Sequence, residues 1–297
     1  MNIMVNFSLN PNTELTSVAI KVKDFDRMLS FYQQVVGFDL INEENDMAIL
    51  GIGSQKRKLL GLISTPDGVE GSNTQTGLNH TSFVFPTRDD LARFIKHLML
   101  LNYPIEGESD HGFCESVYIS DPENNRLEFS WDKPKDEWPM VDGKIDGVTK
   151  ELNIQKCLNK VEGEYTSVPG ETKVGHVHLS VSNLEKVYKF YAEKLGFKIK
   201  DDDFSSTHLL SVNDYHHQLA INESQSNGMS PVIRDTDLGV DHVTFDIPTM
   251  EDLLLLKENL ETLGCDFYYN KGKRIIGLYD PSGIHLWFIV FKKENKK

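Results

Sequence analysis

Hydrophobic and polar positions alternate through Gly175–Val181 (GHVHLSV), and after Asn183 the pattern changes to a helical one in which Leu184, Val187, Tyr188, Tyr191 and Leu195 recur. The first pattern predicts a half-buried strand. The second predicts an amphipathic helix capped by Asn183 and stopped by Gly196, with a new strand opening on Phe197. The same succession opens the chain. Leu15–Leu40 reads LTSVAIKVKDFDRMLSFYQQVVGFDL, with Asp24 at the cap position, Phe31 and Tyr32 matching Phe190 and Tyr191, and Gly37 and Phe38 matching Gly196 and Phe197. Gly37 and Gly196 lie 159 positions apart in a chain of 297, so one unit occurs in each half.

Two further copies follow the same grammar. Leu78–Leu98 (LNHTSFVFPTRDDLARFIKHL) and Val240–Leu260 (VDHVTFDIPTMEDLLLLKENL) both place a histidine third, then an alternating strand, then Pro-Thr and a helix. Each closes on a turn and a final strand, SDPENNRLEFSWD from Ser120 and YDPSGIHLWFIVF from Tyr279. The pattern therefore predicts an α+β chain of four βαβββ modules paired into two domains with curved mixed sheets. The domain spans are 10–132 and 174–292, joined by a linker over 133–173 that is rich in Gly, Pro and charge.

Composition narrows the class. With 39% hydrophobic and 26% charged residues, 16 Phe and 10 Tyr, the chain can bury two cores. Its formal charge of -14 disfavours nucleic acid and anionic membrane as partners. No apolar run is long enough to span a bilayer and the N-terminus lacks the build of a signal peptide, so a cytoplasmic location is expected. The cysteines Cys114, Cys157 and Cys265 have no CxxC spacing, which argues against a disulfide scaffold and a thiolate zinc site; a metal would sit on histidine and carboxylate. No complete GxGxxG, GKS/GKT, GxSxG or HExxH motif is present. A homodimer through an exposed sheet edge is compatible with this organisation.

The repeat gives the histidines meaning. Facing modules bring equivalent positions together across a pseudo-twofold axis. Pairing within each half would join His176 with His242, and Ser17 with His80. In the closing strands, Glu128 alternates with Arg126 and Ser130 on one face, and a carboxylate facing the inside of a curved sheet must be paired, metal-bound or protonated. Aligning the turn before YHHQLAIN brings His217 to the position of Glu128 and puts His216 on the opposite face; in the fourth module the position is Trp287.

The four-module plan, the GHxHLxV strand, the LxxxxxFYxxxLGF helix and the DPxxNxxE turn-strand resemble the vicinal oxygen chelate superfamily of glyoxalases, bleomycin and fosfomycin resistance proteins and extradiol dioxygenases. The YHH run and the segment from SDPENNRLEF to Trp138 are similar to the Bacillus-type catechol 2,3-dioxygenase branch. The resemblance implies two glyoxalase-like domains and one divalent metal in a cup between paired modules, with the C-terminal cup active. It maps strand-start ligands onto His176 and His242 and the family glutamate onto Trp287, which leaves His217 as the third ligand. Three imidazoles suit zinc, with manganese, nickel and cobalt also open, whereas two histidines and a carboxylate suit iron(II), the metal the resemblance favours. The alternative site is His80 with Glu128, which His111 could approach.

His178 is the expected acid/base beside the metal, and Tyr269, among Tyr215, Tyr268 and Tyr279, the expected holder of a bound ring. Lys271, Lys273 and Arg274 read as a hairpin turn or as a cationic lip. The activity implied is extradiol cleavage of catechol-like substrates by dioxygen. The alternatives are a metal-dependent isomerase or thiol transferase of glyoxalase type acting on a vicinal-oxygen substrate, and a metal-free protein that binds a small aromatic molecule.

Overall fold

The structure is a computed structural model that describes residues 7–70, 76–142, 144–159, 161–201, 207–226 and 236–291. The first six residues and the expected domain end at residue 292 lie outside that set. Four βαβββ modules follow one another. The first comprises β1 (Glu14–Val22), α1 (Phe25–Phe31), β2 (Asp39–Glu44), β3 (Met47–Ile52) and β4 (Arg57–Ser64), and the second β5 (Gly77–Phe85), α2 (Arg88–Leu100), β6 (Gly107–Asp110), β7 (Cys114–Ser120) and β8 (Arg126–Asp132). The linker carries the short strands β9 (Met140–Val141) and β10 (Lys144–Ile145) and the helix α3 (Ile154–Leu158). The third module has β11 (Lys173–Ser180), α4 (Leu184–Lys189), β12 (Lys198–Asp201), β13 (Thr207–Ser211) and β14 (Leu219–Asn222), and the fourth β15 (Gly239–Asp246), α5 (Met250–Thr262), β16 (Tyr268–Asn270), β17 (Ile275–Tyr279) and β18 (His285–Ile289).

Each module helix begins where the sequence offers a cap. Asp24, Thr87, Asn183 and Thr249 accept the amide hydrogen of the residue three positions on, which satisfies one of the free amides of the first turn. α1 and α4 run on into π-helical turns over Tyr32–Val36 and Phe190–Lys194. Gly37 then ends the first of them in the left-handed region, at a φ of 84°.

The pairing of modules differs from the sequence expectation. One eight-stranded sheet has the order β16-β17-β18-β15-β1-β4-β3-β2 and the other β12-β13-β14-β11-β5-β8-β7-β6. The first module therefore shares its sheet with the fourth, and the second with the third, so neither sheet is confined to 10–132 or 174–292. Within each module the first strand runs parallel to the last, and the two modules of a sheet meet through an antiparallel central pair, β1 with β15 and β5 with β11. Sequence neighbours tend to pair, but the second and third modules are neighbours too. The long linker between them was read as a boundary, and it spans the join instead.

Each half of the chain is nevertheless stitched together behind the sheets. The buried Tyr32 hydroxyl donates to Asp121 Oδ2 at 2.8 Å, and the buried Tyr191 hydroxyl donates to Asp280 Oδ2 at 3.2 Å. Both aspartates belong to the Asp-Pro turns, where their other oxygen accepts turn amides. Sheet pairing links modules one to four and two to three, and these bonds link one to two and three to four. The helix-covered faces share one apolar core in which Phe83, Phe85, Phe94 and Phe129 pack ring on ring and Phe197 meets Phe245.

Burial lifts the Asp280 carboxyl from 3.8 to about 6 although the turn amides and Tyr191 oppose the shift. A carboxyl raised on folding contributes stability below its unfolded pKa and loses it as pH rises through the folded value. The stability of the wild type relative to Asp280→Asn is therefore expected to fall between about pH 4 and pH 6, by about 1.4 kcal/mol per pH unit, and then to level off. Urea unfolding of both proteins across that range checks this, and a flat difference would show ordinary titration.

Candidate metal centre and cup

The site is assembled at the centre of the second sheet. In the antiparallel pair β5/β11, His178 lies opposite His80 and His176 opposite Ser82; in the parallel pair β5/β8, His80 lies beside Arg126 and Ser82 beside Glu128. Residues two apart on a strand share a face, so His80, His176, His178, Arg126 and Glu128 all project from the concave side. Register shifts in β11 fall between Val174 and His176 and between His178 and Leu179, bracketing both histidines. Gly175 allows the close approach there, since a Cβ at that position would stand 2.4 Å from Val84 Cγ2.

Three donor atoms converge. His80 Nε2 and His176 Nε2 are each 3.1 Å from Glu128 Oε2 and 3.1 Å from each other. Ligands at about 2.1 Å from one ion are about 3.0 Å apart when they meet at right angles and about 3.4 Å apart when tetrahedral. The observed 3.1 Å spacing falls between these values, so the three atoms are close enough to ligate one ion. All three residues are buried, Glu128 to 1% exposure, and a buried carboxylate needs a cation or a set of donors. The residues present thus fit a divalent metal.

The surrounding groups hold these ligands in place. Asn79 Oδ1 lies 3.0 Å from His80 Nδ1, which keeps the proton on that nitrogen and leaves the Nε2 lone pair free. Ser116 Oγ donates to Glu128 Oε1, so the other oxygen, Oε2, meets the histidines. Burial pushes the Glu128 carboxyl upward, but His176 and His80 outweigh it and hold it well below the usual carboxylate range. Burial lowers His80 despite the opposing pull of Glu128.

A cavity of about 490 Å³ opens in front of these atoms, with His111, Tyr118, Arg126, His178 and His217 among its walls. His178 Nε2 is buried without a hydrogen-bond partner, and its ring centroid is 5.0 Å from that of His80. Burial, reinforced by His80 and His176, drives His178 well below the ordinary imidazole range. His217 is also pushed well down, chiefly by burial and further by His176 and His216. Its Nδ1 is 2.8 Å from His216 Nδ1, and His216 Nε2 is 3.1 Å from Asp132 Oδ1. Tyr118 Oη and His111 Nε2 are 3.1 Å apart, and Gly147, Val148 and Thr149 of the linker complete the wall.

The sequence-derived site is therefore redrawn. His176 joins His80 and Glu128 of the alternative pair, and His178 stands beside them. His217 is close, with its ring centroid 4.1 Å from that of His176, but lies outside the convergent trio. The β14 register puts Ala220 beside His178, just as Glu128 stands beside Ser82, so Ala220 and not His217 occupies the position related to Glu128. His242 belongs to the other sheet, where its Nδ1 pairs with Asp241 and its ring stacks on Trp287 at 3.7 Å. Tyr269 pairs with Ile276 on the helix-covered face of that sheet and meets Lys257 of α5, so it has no access to the cup. Tyr268 and Tyr279 are exposed on the same distant sheet, and Tyr215 is tied to Asp132. Lys271 and Lys273 lie in the turn between β16 and β17, as the hairpin reading expects. Tyr118 and Arg126 were missed as wall residues, although the alternation of CESVYIS and RLEFSWD puts them on the face of Glu128.

A ring of four βαβββ modules with a histidine–carboxylate cup at a module junction defines a chelating-cup protein. The chain belongs to the Glyoxalase/Bleomycin resistance protein/Dioxygenase superfamily, whose sequence model matches residues 14–129 and 173–288. It is 29% identical over 292 residues to a catechol-2,3-dioxygenase of Bacillus subtilis, covering 95% of this chain and 99% of that protein. A biphenyl-2,3-diol 1,2-dioxygenase of Rhodococcus globerulus is 30% identical over 122 residues, 40% of this chain and 63% of that protein. Among solved structures, glyoxalase I from Zea mays superposes with a TM-score of 0.56 at 15% identity, over 94% of this chain and 92% of that one, a likeness of fold.

Protein purified without oxygen is expected to carry about one divalent metal per chain. His80→Ala, His176→Ala and Glu128→Ala should each lose nearly all of it, Asn79→Ala should weaken binding about 10- to 100-fold, and His242→Ala should keep it. Elemental mass spectrometry after gel filtration decides; metal that leaves with His242 and stays without Glu128 would sink this assignment.

Proposed function

We propose that the chain is a metal-dependent extradiol dioxygenase acting on catechol-like substrates, and that it works in the cytoplasm. The observation that carries this reading is the trio itself: two buried histidines and one carboxylate that would hold a metal at the wall of a cavity of about 490 Å³. That donor set with open positions suits iron(II) and oxygen chemistry. When bound, the metal would act as a Lewis acid that lowers the charge cost of a catecholate and brings it beside dioxygen. The relationship to the Bacillus subtilis enzyme adds weight.

The residues of the chain supply the rest. A catechol entering the cup must release protons, and His178 and His217 are neutral bases on its wall. His178 Nε2 has no partner to give up before accepting a proton. His217 sits at the inner end of a hydrogen-bonded line through His216 to Asp132, which steadies its tautomer. Tyr118, whose hydroxyl burial and Glu128 keep protonated, can donate toward a substrate oxygen.

With iron(II) restored, catechol should consume one equivalent of dioxygen and yield a ring-opened product carrying both oxygen atoms, as oxygen-electrode and isotope-labelled mass measurements would show. His178→Ala and His217→Ala should each lower kcat about 10²- to 10⁴-fold while retaining metal. Loaded protein that isomerises a thiol adduct of an α-ketoaldehyde and leaves catechol and oxygen untouched would replace this reading with the isomerase.

A further inference from the structure

We propose that the cup is built for a catechol that carries a carboxylate, on the ring or on a short side chain, and that Arg126 is the residue that holds it. The inference rests on the function proposed above and names its substrate class. Arg126 lies two residues before Glu128 on β8 and beside His80 on β5, so its side chain leaves the concave face about 6.6–7 Å along the strand from the carboxylate ligand. The guanidinium stands over the Tyr118 ring, 4.8 Å from its centroid, and that ring centroid is in turn 5.7 Å from the centroid of His80. The charge is thus held one aromatic ring away from the metal ligands and along one wall of the cup.

Arg126 has no carboxylate partner among the described residues, whereas Arg88 and Arg93 are each paired with an acidic side chain. It also lines both the cup and an adjoining polar cavity of about 580 Å³, so it stands at the neck where the two meet. Four acidic side chains, Asp24, Glu70, Glu123 and Asp237, line the adjoining cavity with Arg126; Glu123 accepts the amides of Lys23 and Asp24, and Asp24 accepts the amide of Arg27 as the cap of α1. Asn79, the other residue common to both cavities, adds an amide donor beside it. In a chain of net charge -14, an exposed guanidinium at the entrance offsets part of the repulsion an anionic substrate meets. Its planar fork matches a carboxylate, and the Tyr118 face beneath it fixes its orientation.

The experiment measures anaerobic dissociation constants by calorimetry on metal-loaded protein for 3,4-dihydroxybenzoate, the isosteric 3,4-dihydroxybenzamide and catechol, with oxygen uptake followed separately. The acid should bind about tenfold or more tightly than the amide. Arg126→Gln should bring the two within about twofold, and Arg126→Lys should recover only part of the difference. Oxygen uptake with catechol, together with equal binding of acid and amide or a preference that survives Arg126→Gln, would overturn this proposal and leave the dioxygenase reading standing. Failure of all three compounds to bind or to support oxygen uptake would remove that reading and this one with it.

Discussion

The antiparallel pairing of β5 with β11 is the constraint on which the site depends. It sets His178 against His80 and His176 against Ser82, and the parallel docking of β8 then brings Glu128 alongside Ser82. Neither half of the chain holds enough ligands. The second module supplies one histidine and the carboxylate, and the third supplies the other histidine. A one-residue slip in either ladder would turn a ligand from the concave face to the apolar core behind it. Gly175 beside Val84 and the bulges in β11 are the local devices that keep the pairing in register while aiming both histidines inward.

The first sheet shows the same architecture without the chemistry. Its central pair sets Ser17 near Thr244 and Ala19 near His242, with Gly61 and Trp287 in the closing strands. Ser17, Ala19, Gly61, His242, Thr244 and Trp287 correspond to His176, His178, Ala220, His80, Ser82 and Glu128 of the other cup, so of the three positions that make the trio only the one at His242 keeps a histidine or carboxylate. The His242 ring is occupied by Trp287 and its Nδ1 by Asp241. Fold and function separate cleanly here: two sheets of one topology carry one constellation, because a chelating site needs every donor at once whereas a sheet tolerates any side chain that packs.

Much of this was legible in the sequence. The repeat, the four caps and the Asp-Pro turns fixed the module plan, and the alternation in RLEFSWD put Glu128 on an inward face. What was not legible was which modules meet. The equivalence of Ser17 with His176 and of His80 with His242 holds under either pairing, so the repeat alone cannot choose between a site with His242 and one with His80. The choice is made by long-range strand pairing, β1 with β15 and β5 with β11. The same ambiguity misdirected Tyr269: local alternation gives a strand two faces, and only the covering helix α5 shows which face is closed.

The electrostatics of the cup support a cation from the residues themselves. With Asn79 fixing the His80 proton on Nδ1, the His80 Nε2 lone pair points at the carboxylate oxygen and at His176 Nε2, both 3.1 Å away. If His176 also presents a lone pair, three electron-rich atoms meet in a space from which water is largely excluded, an arrangement that costs free energy unless a positive charge lies between them. A proton on His176 would relieve part of it, but a single proton satisfies one contact at a time. A divalent cation held by the three would satisfy all of them and keep Glu128 ionised. His178, whose buried Nε2 has no hydrogen-bond partner, is brought to the same concave face by the strand registers that made the trio.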